Sequence, residues 1–174
     1  MFYKSYRYRI YPSPEQTERL GRWENALRFL WNLAHEQRLL GVRRPRDQRH
    51  YPTAFDQINE LKELRAELPW LADVPRDIEA QLLIELDKAW QRCFKKICKE
   101  PHWKRKIESI SVCAPQEFRF TSTTLRFPKL GHVRIVQHRS LQGKPKSCTI
   151  RRDGDQWFAS ILCEIEVPAP SLRT

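Results

Sequence analysis

The first twelve residues most constrain the fold, because they predict a strand that has no partner nearby in the sequence. Tyr6, Tyr8 and Ile10 alternate with serine and arginine residues over Tyr3 to Tyr11, and Pro12 follows. A period of two is typical of a strand with one apolar and one cationic face. An isolated strand leaves its backbone hydrogen-bonding groups unsatisfied, so it must pair with strands formed elsewhere in the chain.

Residues 13–98 carry helical spacing instead. The first helix is predicted to begin at Ser13-Pro14-Glu15-Gln16, which supplies a serine cap, a first-turn proline and a glutamine that completes a capping box. It is predicted to end just before Gly41, the expected C-terminal glycine. Further helices are predicted over Ala54 to Leu68 and from Pro75 to about Cys98. Their apolar residues recur every three or four positions and are Leu20, Trp23, Leu27, Leu30, Trp31, Ala34, Phe55, Ile58, Leu61, Leu64, Leu68, Ile78, Leu82, Leu86, Ala89, Trp90, Cys93, Phe94 and Ile97.

From Glu100 onward the apolar residues alternate singly with polar ones, which predicts about five strands. Asp153-Gly154-Asp155 separates two of these runs, and an Asp-Gly step between alternating runs is a strong hairpin signal. The runs are Phe118 to Phe120, Leu125 to Phe127, Val133 to Ile135, Ser147 to Arg152 and Gln156 to Val167.

The order of these elements predicts an α+β fold. The amino-terminal strand should pair with the carboxy-terminal strands, closing a small antiparallel β-barrel from residues 1–12 and 100–168. A three-helix bundle at 13–99 is then inserted after the first strand of the barrel. Residues 169–174 follow Pro168 and include Pro170, which predicts the end of a linker.

The charge of the chain favours a polyanionic partner. Lys and Arg number 32 against 21 Asp and Glu, giving a net charge of +11 and a sequence pI near 9.7. No run approaches the ~18 apolar residues of a membrane span, so we expect a cytoplasmic protein and no membrane partner. The five cysteines are odd in number and contain no Cys-x-x-Cys pair, which predicts reduced thiols and no zinc ribbon.

Two basic stretches, Arg38 to Arg49 and Arg92 to Lys106, contain most of the candidate contacts. Phe94 and Trp103 are interleaved with the second stretch, which suits phosphate neutralisation together with stacking on unpaired bases. The alternative interpretation is that both stretches are solvated helix ends. The large net charge favours nucleic acid.

No active site is indicated by the sequence. The five histidines have no metal-ligand spacing, and Glu164 and Glu166 are interpreted as a solvated strand face. No glycine-rich phosphate loop or activated nucleophile is present. A DNA-nicking transposase would need a tyrosine nucleophile beside paired histidines, and none of Tyr3, Tyr6, Tyr8, Tyr11 and Tyr51 has such a neighbour.

Several motifs together resemble the TnpB family, the transposon-encoded relatives of type V CRISPR effectors. They occur in the family's order across nearly the whole chain, and the ordered set is more specific than any one motif. The motifs are Tyr8 to Gln16, Phe29-Leu30-Trp31-Asn32, Leu68-Pro69-Trp70-Leu71 with Val74-Pro75, Leu86 to Lys96, Pro101-His102-Trp103-Lys104, Leu125 to Gly131 and Cys163-Glu164-Ile165-Glu166.

The resemblance implies that the barrel is a wedge domain and the helices are a recognition domain. Together these would bind a structured guide RNA and read a short motif in double-stranded target DNA. By position, the implied DNA-motif contacts are Tyr51, Phe55, Arg76, Ala80, Gln81 and Gln116. Family members often carry glutamine where this chain has alanine at 80, whereas the arginine at 76 is suited to reading a base or a phosphate. The implied RNA contacts are Arg7, Arg9, Arg43, Arg44, Arg46, Arg49, Lys95, Lys96, Lys99, Trp103, Lys104, Arg105 and Lys106.

Family members continue past the equivalent of Val167 into a RuvC-like nuclease that uses three acids and divalent metal, interrupted by a zinc ribbon. The resemblance therefore implies that these residues need no cofactor and do not cleave DNA alone, with Mg²⁺ expected only in a RuvC domain. The leading hypothesis is an RNA-binding and DNA-motif-binding module in a prokaryotic, nucleoid-associated protein. The alternative is a nuclease-free regulator, or a split-effector subunit that acts with a separate RuvC-containing chain.

Overall fold

The chain folds as one strand, four α-helices and six further strands, in that order. The computed structural model describes residues 1–168, so the predicted linker at 169–174 lies outside the described residues. The α+β class is confirmed. The elements are β1 (Phe2–Tyr11), α1 (Pro14–Arg43), α2 (Ala54–Glu67), α3 (Pro69–Ala72), α4 (Arg76–Phe94), β2 (Val112–Ala114), β3 (Arg119–Phe120), β4 (Thr124–Phe127), β5 (Gly131–Val136), β6 (Lys144–Asp153) and β7 (Gln156–Ile165), with a 3₁₀ turn at Arg46–Gln48.

Strand β1 lies in the middle of a seven-stranded antiparallel sheet with the order β2-β6-β7-β1-β5-β4-β3. Tyr6 lies opposite Ile161 of β7, and Ile10 lies opposite Ile135 of β5. The first strand therefore takes its hydrogen-bonding partners from the other end of the chain, as the sequence predicts. Tyr6, Tyr8 and Ile10 are buried, whereas Arg7 points to the opposite face.

The sheet is curled but does not close, so the predicted closed barrel is wrong in this respect. Its edge strands β2 and β3 are consecutive in the chain, and Ala114 and Arg119 can be at most about 19 Å apart. A flat sheet would separate them by six strand spacings, about 29 Å. Within residues 1–168 the two edges do not pair. With only three and two residues, these strands are too short to build a closing ladder, and the first turn of α4 lines the gap between them.

Helix α1 begins as its sequence predicts and ends later. The Ser13 hydroxyl accepts from the Gln16 backbone N–H, and the Gln16 side chain accepts from the Ser13 N–H, which completes the capping box. The predicted C-terminal glycine is wrong, because α1 continues past Gly41 to Arg43. A Cβ at Gly41 would lie 2.0 Å from the carbonyl oxygen of His50. Glycine is needed there for the close return of the chain.

Helix α4 is shorter than predicted. It ends at Phe94, and Lys96 has a φ of 58°, a left-handed conformation that stops the helix before Cys98. The apolar pattern therefore overstates the core at three positions, because Ile97 is 67% exposed, Phe94 is 45% exposed and Phe55 in α2 is 73% exposed. The four-residue α3 and the three-residue β2 have no clear sequence signal.

The helices and the concave face of the sheet share one hydrophobic core. Trp23 of α1 packs against Phe127 of β4 with ring centroids 6.4 Å apart, and its indole N–H donates to Asp73. Buried Arg38 crosses between helices, donating to Gln57 of α2 and to Asp87 of α4. No helix within residues 1–168 is long and apolar enough to cross a lipid bilayer.

Candidate nucleic-acid interface

Two clusters of exposed cations meet at one end of the helical layer, which we call the basic end. It consists of Arg43, Arg44, Arg46 and Arg49 at and just after the end of α1, and Arg92, Lys95, Lys96 and Lys99 at and just after the end of α4. Tyr51 packs edge-on against Phe94 with centroids 5.3 Å apart, which brings the two clusters together. Among the described residues, none of these eight cations forms an ion pair with a carboxylate. Their charge is available to a polyanion.

A continuous series of aromatic rings runs beneath the basic end. It passes from Tyr51 to Phe94, Trp90, His35 and Trp103, with successive centroids 5.3, 5.5, 5.5 and 4.7 Å apart. Trp90 and His35 are buried, whereas Tyr51 and Trp103 are 44% and 49% exposed. The two outer rings are therefore held by the core while keeping a face toward solvent, as base stacking requires.

His35 is completely buried, and neither ring nitrogen has a hydrogen-bond partner in residues 1–168. Burial lowers the pKa of His35, so the imidazole is neutral at pH 7. The series of aromatic rings beneath the basic end is therefore uncharged at pH 7.

Residues 95–109, which we call the basic strap, contain neither helix nor strand. Their backbone is instead attached to α1. The Trp31 indole N–H donates to the His102 carbonyl at 3.0 Å, and Asn32 exchanges two hydrogen bonds with the backbone of Lys104. The Lys104 ammonium also lies 4.6 Å from the centroid of the Trp31 ring. These contacts fix the path of the basic strap and leave Lys99, Arg105 and Lys106 exposed.

A second cationic site lies at the open edge of the sheet, in a cleft of about 900 Å³ that we call the α4 cleft. The start of α4, the β2–β3 connection and the β4–β5 turn form its walls. Five basic side chains and two acidic ones line it: Arg65, Arg76, Arg119, Arg126 and Lys129, with Asp77 and Glu117. The cleft is therefore electropositive.

The arrangement of cations in the α4 cleft favours an anionic ligand. Arg76 is the first residue of the 19-residue α4, where free backbone N–H groups and the helix dipole attract anions. Arg119 lies directly opposite Arg126 on the β3–β4 ladder. Like charges at opposed positions repel one another, and neither arginine has a carboxylate partner within residues 1–168. A phosphate between them would remove that cost.

Beneath the α4 cleft, Arg65 and Glu79 form contacts that stabilise the start of α4. Arg65 donates to the Glu79 carboxylate and to the backbone carbonyls of Val74 and Ala72. Glu79 is fully buried, and burial raises its pKa to about 7 in spite of the Arg65 guanidinium. The pair fixes the first turn of α4 relative to α2.

The structure does not bring the predicted DNA-motif residues together at one site. Arg76 and Gln116 both line the α4 cleft, where the Gln116 amide lies 3.5 Å from the Asp77 carboxylate. Tyr51 touches Phe94 at the far end of α4. At a helix rise of 1.5 Å per residue, Phe94 lies about 27 Å along α4 from Arg76. The remaining members are partly buried Ala80 and Gln81, one turn beyond the α4 cleft, and exposed Phe55 at the start of α2.

Four basic cleft residues, Arg65, Arg119, Arg126 and Lys129, are missing from the sequence-based set. Arg119 and Arg126 alternate with apolar strand residues, which predicts only that they point outward. Only the curl of the sheet places them opposite Arg76, so the sequence signal is too weak to find them.

The predicted RNA contacts on β1 lie on the outer, convex face of the sheet. The guanidinium carbons of Arg7 and Arg9 lie 3.9 and 5.5 Å from the ring centroid of Phe158 on β7. Arg9 also lies 5.0 Å from the centroid of Tyr11. These two arginines therefore lie on a different face from the basic end.

The acids and cysteines of the described residues do not form a metal site. No group of three or more His, Cys, Asp or Glu side chains within residues 1–168 is placed to hold a metal ion. Glu164 accepts from Lys146 at 2.6 Å, and that hydrogen bond lowers the pKa of the Glu164 carboxyl. The five cysteines are free thiols.

Comparison with known proteins gives one family match and two curated relatives. A family model described as a helix-turn-helix domain, HTH_OrfB_IS605, matches residues 1–39, which in this chain form β1 and most of α1. Over 96% of its length the chain is 25% identical to "Putative RNA-guided DNA endonuclease InsQ" of Escherichia coli (strain K12). Over 97% of its length it is 27% identical to "Putative RNA-guided DNA endonuclease" of Streptomyces pristinaespiralis. The chain spans 42% and 43% of the length of these relatives.

Proposed function

We propose that this chain binds a structured guide RNA and recognises a short motif in double-stranded DNA. The chain is related over almost its whole length to the amino-terminal part of TnpB-type RNA-guided DNA endonucleases. The observation that carries the proposal is the separation of its cations into two surfaces. One surface is the basic end with the basic strap, and the other is the α4 cleft.

We assign the RNA to the basic end and the basic strap. Folded RNA presents an irregular phosphate surface together with unpaired bases that stack on aromatic side chains. Unpaired cations surround the half-exposed rings of Tyr51 and Trp103 at this surface. An irregular strap held by Trp31 and Asn32 can follow a phosphate path that a straight helix cannot.

We assign the DNA motif to the α4 cleft. A motif reader needs a fixed relation between phosphate contacts, which set the register, and base contacts, which set the sequence. Arg119 and Arg126 offer two charges suited to phosphates, and Arg76, on the start of a helix, lines the same cleft as Gln116. Both side chains can read base edges in a groove, arginine at guanine and glutamine at adenine.

The sheet and helices correspond in this proposal to a wedge domain and a recognition domain. The two parts share contacts that hold them together, since Gln16 of α1 donates to the carbonyls of Leu130 and His132. RNA and DNA bound at the two surfaces would therefore keep a fixed relative position. We assign these residues to binding. Their cations can neutralise phosphates and their aromatic rings can stack on bases, and neither action breaks a bond.

The proposal is tested by a titration of the chain with two labelled RNAs of equal length at about 0.15 M salt. One is a structured RNA transcribed from the sequence flanking the gene, and the other is an unstructured RNA. The structured RNA is expected to bind much more tightly. Equal affinity for the two contradicts the proposal.

A second measurement tests the division of labour. Arg76→Ala is expected to weaken binding of a DNA duplex that carries the motif while leaving RNA affinity nearly unchanged. A parallel loss of both affinities would contradict the assignment of the DNA motif to the α4 cleft.

A further inference from the structure

A cleft of about 620 Å³ lies on the outer face of the sheet, where the β6–β7 hairpin meets the basic strap. We call it the hairpin cleft. It lies on a different face from the basic end and the α4 cleft, because its floor is the convex side of β1, β6 and β7. The basic strap contributes Ile107 and Ser109 to its wall.

The floor of the hairpin cleft is Phe158, which has a cation on each neighbouring strand. In the strand register Phe158 lies opposite Arg9 of β1 on one side and opposite Arg151 of β6 on the other. Arg7, two residues before Arg9 on the same face, places its guanidinium carbon 3.9 Å from the centroid of the Phe158 ring. The guanidinium therefore stacks over one face of the ring, and its own outer face suits stacking on a base.

The arginines of the hairpin cleft differ in how much of their charge is already engaged. Arg152 donates to both oxygens of buried Glu24 and to the Gly154 carbonyl, so it is committed to the fold. Arg7 reaches the Asp153 carboxylate only at 3.4 Å, with both side chains well exposed, and such pairs contribute little.

Arg151 is even less engaged. Its contact within residues 1–168 is a 3.4 Å approach to the Ser111 hydroxyl. Arg7 is thus stacked on the Phe158 ring, whereas the guanidinium of Arg151, opposite Phe158 on β6, is free to bind a phosphate.

A further feature of the basic strap points to a ligand. Ile107, which lines the same cleft as Phe158, is 85% exposed. An apolar side chain in water at the wall of the cleft suits a ligand with an apolar face.

We propose that the hairpin cleft binds one unpaired nucleotide of a single-stranded nucleic acid, with its base on the Arg7 guanidinium that Phe158 supports and its phosphate at Arg151. The inference rests on the proposed nucleic-acid-binding function and adds a specific stacking site to it. The cationic surface continues from this site across the sheet, since Arg9 lies 5.0 Å and Arg134 lies 5.3 Å from the centroid of Tyr11. A strand leaving the cleft can therefore follow β1 and β5.

The experiment compares single-stranded adenosine hexamers with an abasic hexamer of the same sugar-phosphate length, titrated into the full chain and its Phe158→Leu and Phe158→Ala variants. Loss of a stacked base is expected to cost about 5- to 150-fold in affinity. Both variants should therefore bind the hexamer at least about fivefold more weakly, and wild type should prefer the hexamer to the abasic strand by a similar factor.

The matched control is Leu162→Ala, which shortens a partly exposed apolar side chain on the same face of the same strand. It should bind the hexamer like wild type, because Leu162 lies four residues from Phe158 and outside the cleft. Thermal unfolding of each variant identifies any loss of fold, and Phe158→Leu keeps most of the apolar volume.

The hexamer is used as RNA and as DNA, and a greater loss for one of them identifies the source of the nucleotide. Unchanged hexamer affinity in both Phe158 variants, or equal affinity of wild type for the abasic strand, overturns the inference. Binding of the structured RNA is measured on the same samples. If its preference over unstructured RNA persists while Phe158 has no effect, the stacking site fails and the proposed function stands.

Discussion

The basic end and the α4 cleft carry the same kind of charge on different kinds of backbone. At the basic end the cations stand on a loop, a helix end and an irregular strap that a few side-chain hydrogen bonds attach to α1. In the α4 cleft they stand on a helix start and on paired strands. In the proposed assignment, an irregular surface suits the irregular phosphate surface of a folded RNA, whereas a surface built on regular elements suits a short motif that must be read in a single register.

The largest expected effect comes from removing charge at the basic end. We expect the combined variant Lys95→Gln, Lys96→Asn and Lys99→Gln to weaken structured-RNA binding by about 50- to 150-fold at 0.15 M salt, if each lysine neutralises one phosphate. Asparagine is chosen at 96 because it tolerates the left-handed backbone found there. The affinity and its slope against salt concentration are measured by filter binding.

The matched control removes three charges from the α4 cleft, as Arg119→Ala, Arg126→Ala and Lys129→Ala. RNA affinity in this control should stay within about twofold of wild type, because phosphate contacts made elsewhere are retained. If both triple variants lose RNA affinity equally, the two surfaces do not have separate roles.

The next largest expected effect is the pH dependence that Glu79 gives to the free energy of unfolding. Its pKa is about 7 in the fold and 4.5 in the unfolded chain, so between these values the folded protein holds a proton that the unfolded chain has lost. The free energy of unfolding should therefore fall as pH rises from 4.5 through 7. Glu79→Gln should remove this fall, as measured by urea unfolding at several pH values. An identical pH dependence in wild type and variant contradicts the assigned pKa.

Arg126→Gln separates a binding role from a structural one. We expect weaker binding of the motif-bearing DNA, by about fivefold for one lost phosphate contact. The free protein should be unchanged or stabilised by about 0.2–1 kcal/mol, because the repulsion from Arg119 across the strands is relieved. The two quantities are measured by DNA titration and by thermal unfolding. A destabilised variant with normal DNA affinity would mean that Arg126 serves the fold.

The smallest expected effect concerns His35, and its sign is opposite to that of Glu79. Burial lowers the pKa of His35 below 6.5, so acid protonates the unfolded chain first and lowers stability as pH falls below 6.5. Leucine at 35 removes this contribution, so the stability of His35→Leu relative to wild type should rise as pH falls from 7 to 5. A relative stability that does not change over this range contradicts the assignment of a neutral His35.

Local signals explain the part of the fold that the sequence predicts. The capping box at Ser13 and the Asp153-Gly154 hairpin each depend on residues within four positions of one another, and both form as expected. The unpaired first strand predicts pairing with the carboxy-terminal strands in general, and in the structure β1 pairs with β5 and β7. Gly41 does not end the helix. Glycine is required there because the backbone of His50, nine residues later, packs against it.

The candidate site is less predictable, because its parts come from distant segments. Arg76 and Arg119 are 43 positions apart, and only the curl of the sheet brings both to the α4 cleft. Phe55 and Ile97 match the helical apolar pattern yet are exposed, because no element packs over them. The opposite error concerns Arg38, the first residue of a basic stretch, which is buried between three helices.

The most direct test of the separate surfaces is lysine-reactivity footprinting of the chain with and without the structured RNA. Acylation at Lys95, Lys96, Lys99 and Lys106 is expected to fall in the complex, whereas Lys129 in the α4 cleft and Lys62 on the exposed side of α2 keep their reactivity. Equal protection of Lys62, Lys129 and the lysines of the basic end would contradict a dedicated RNA surface.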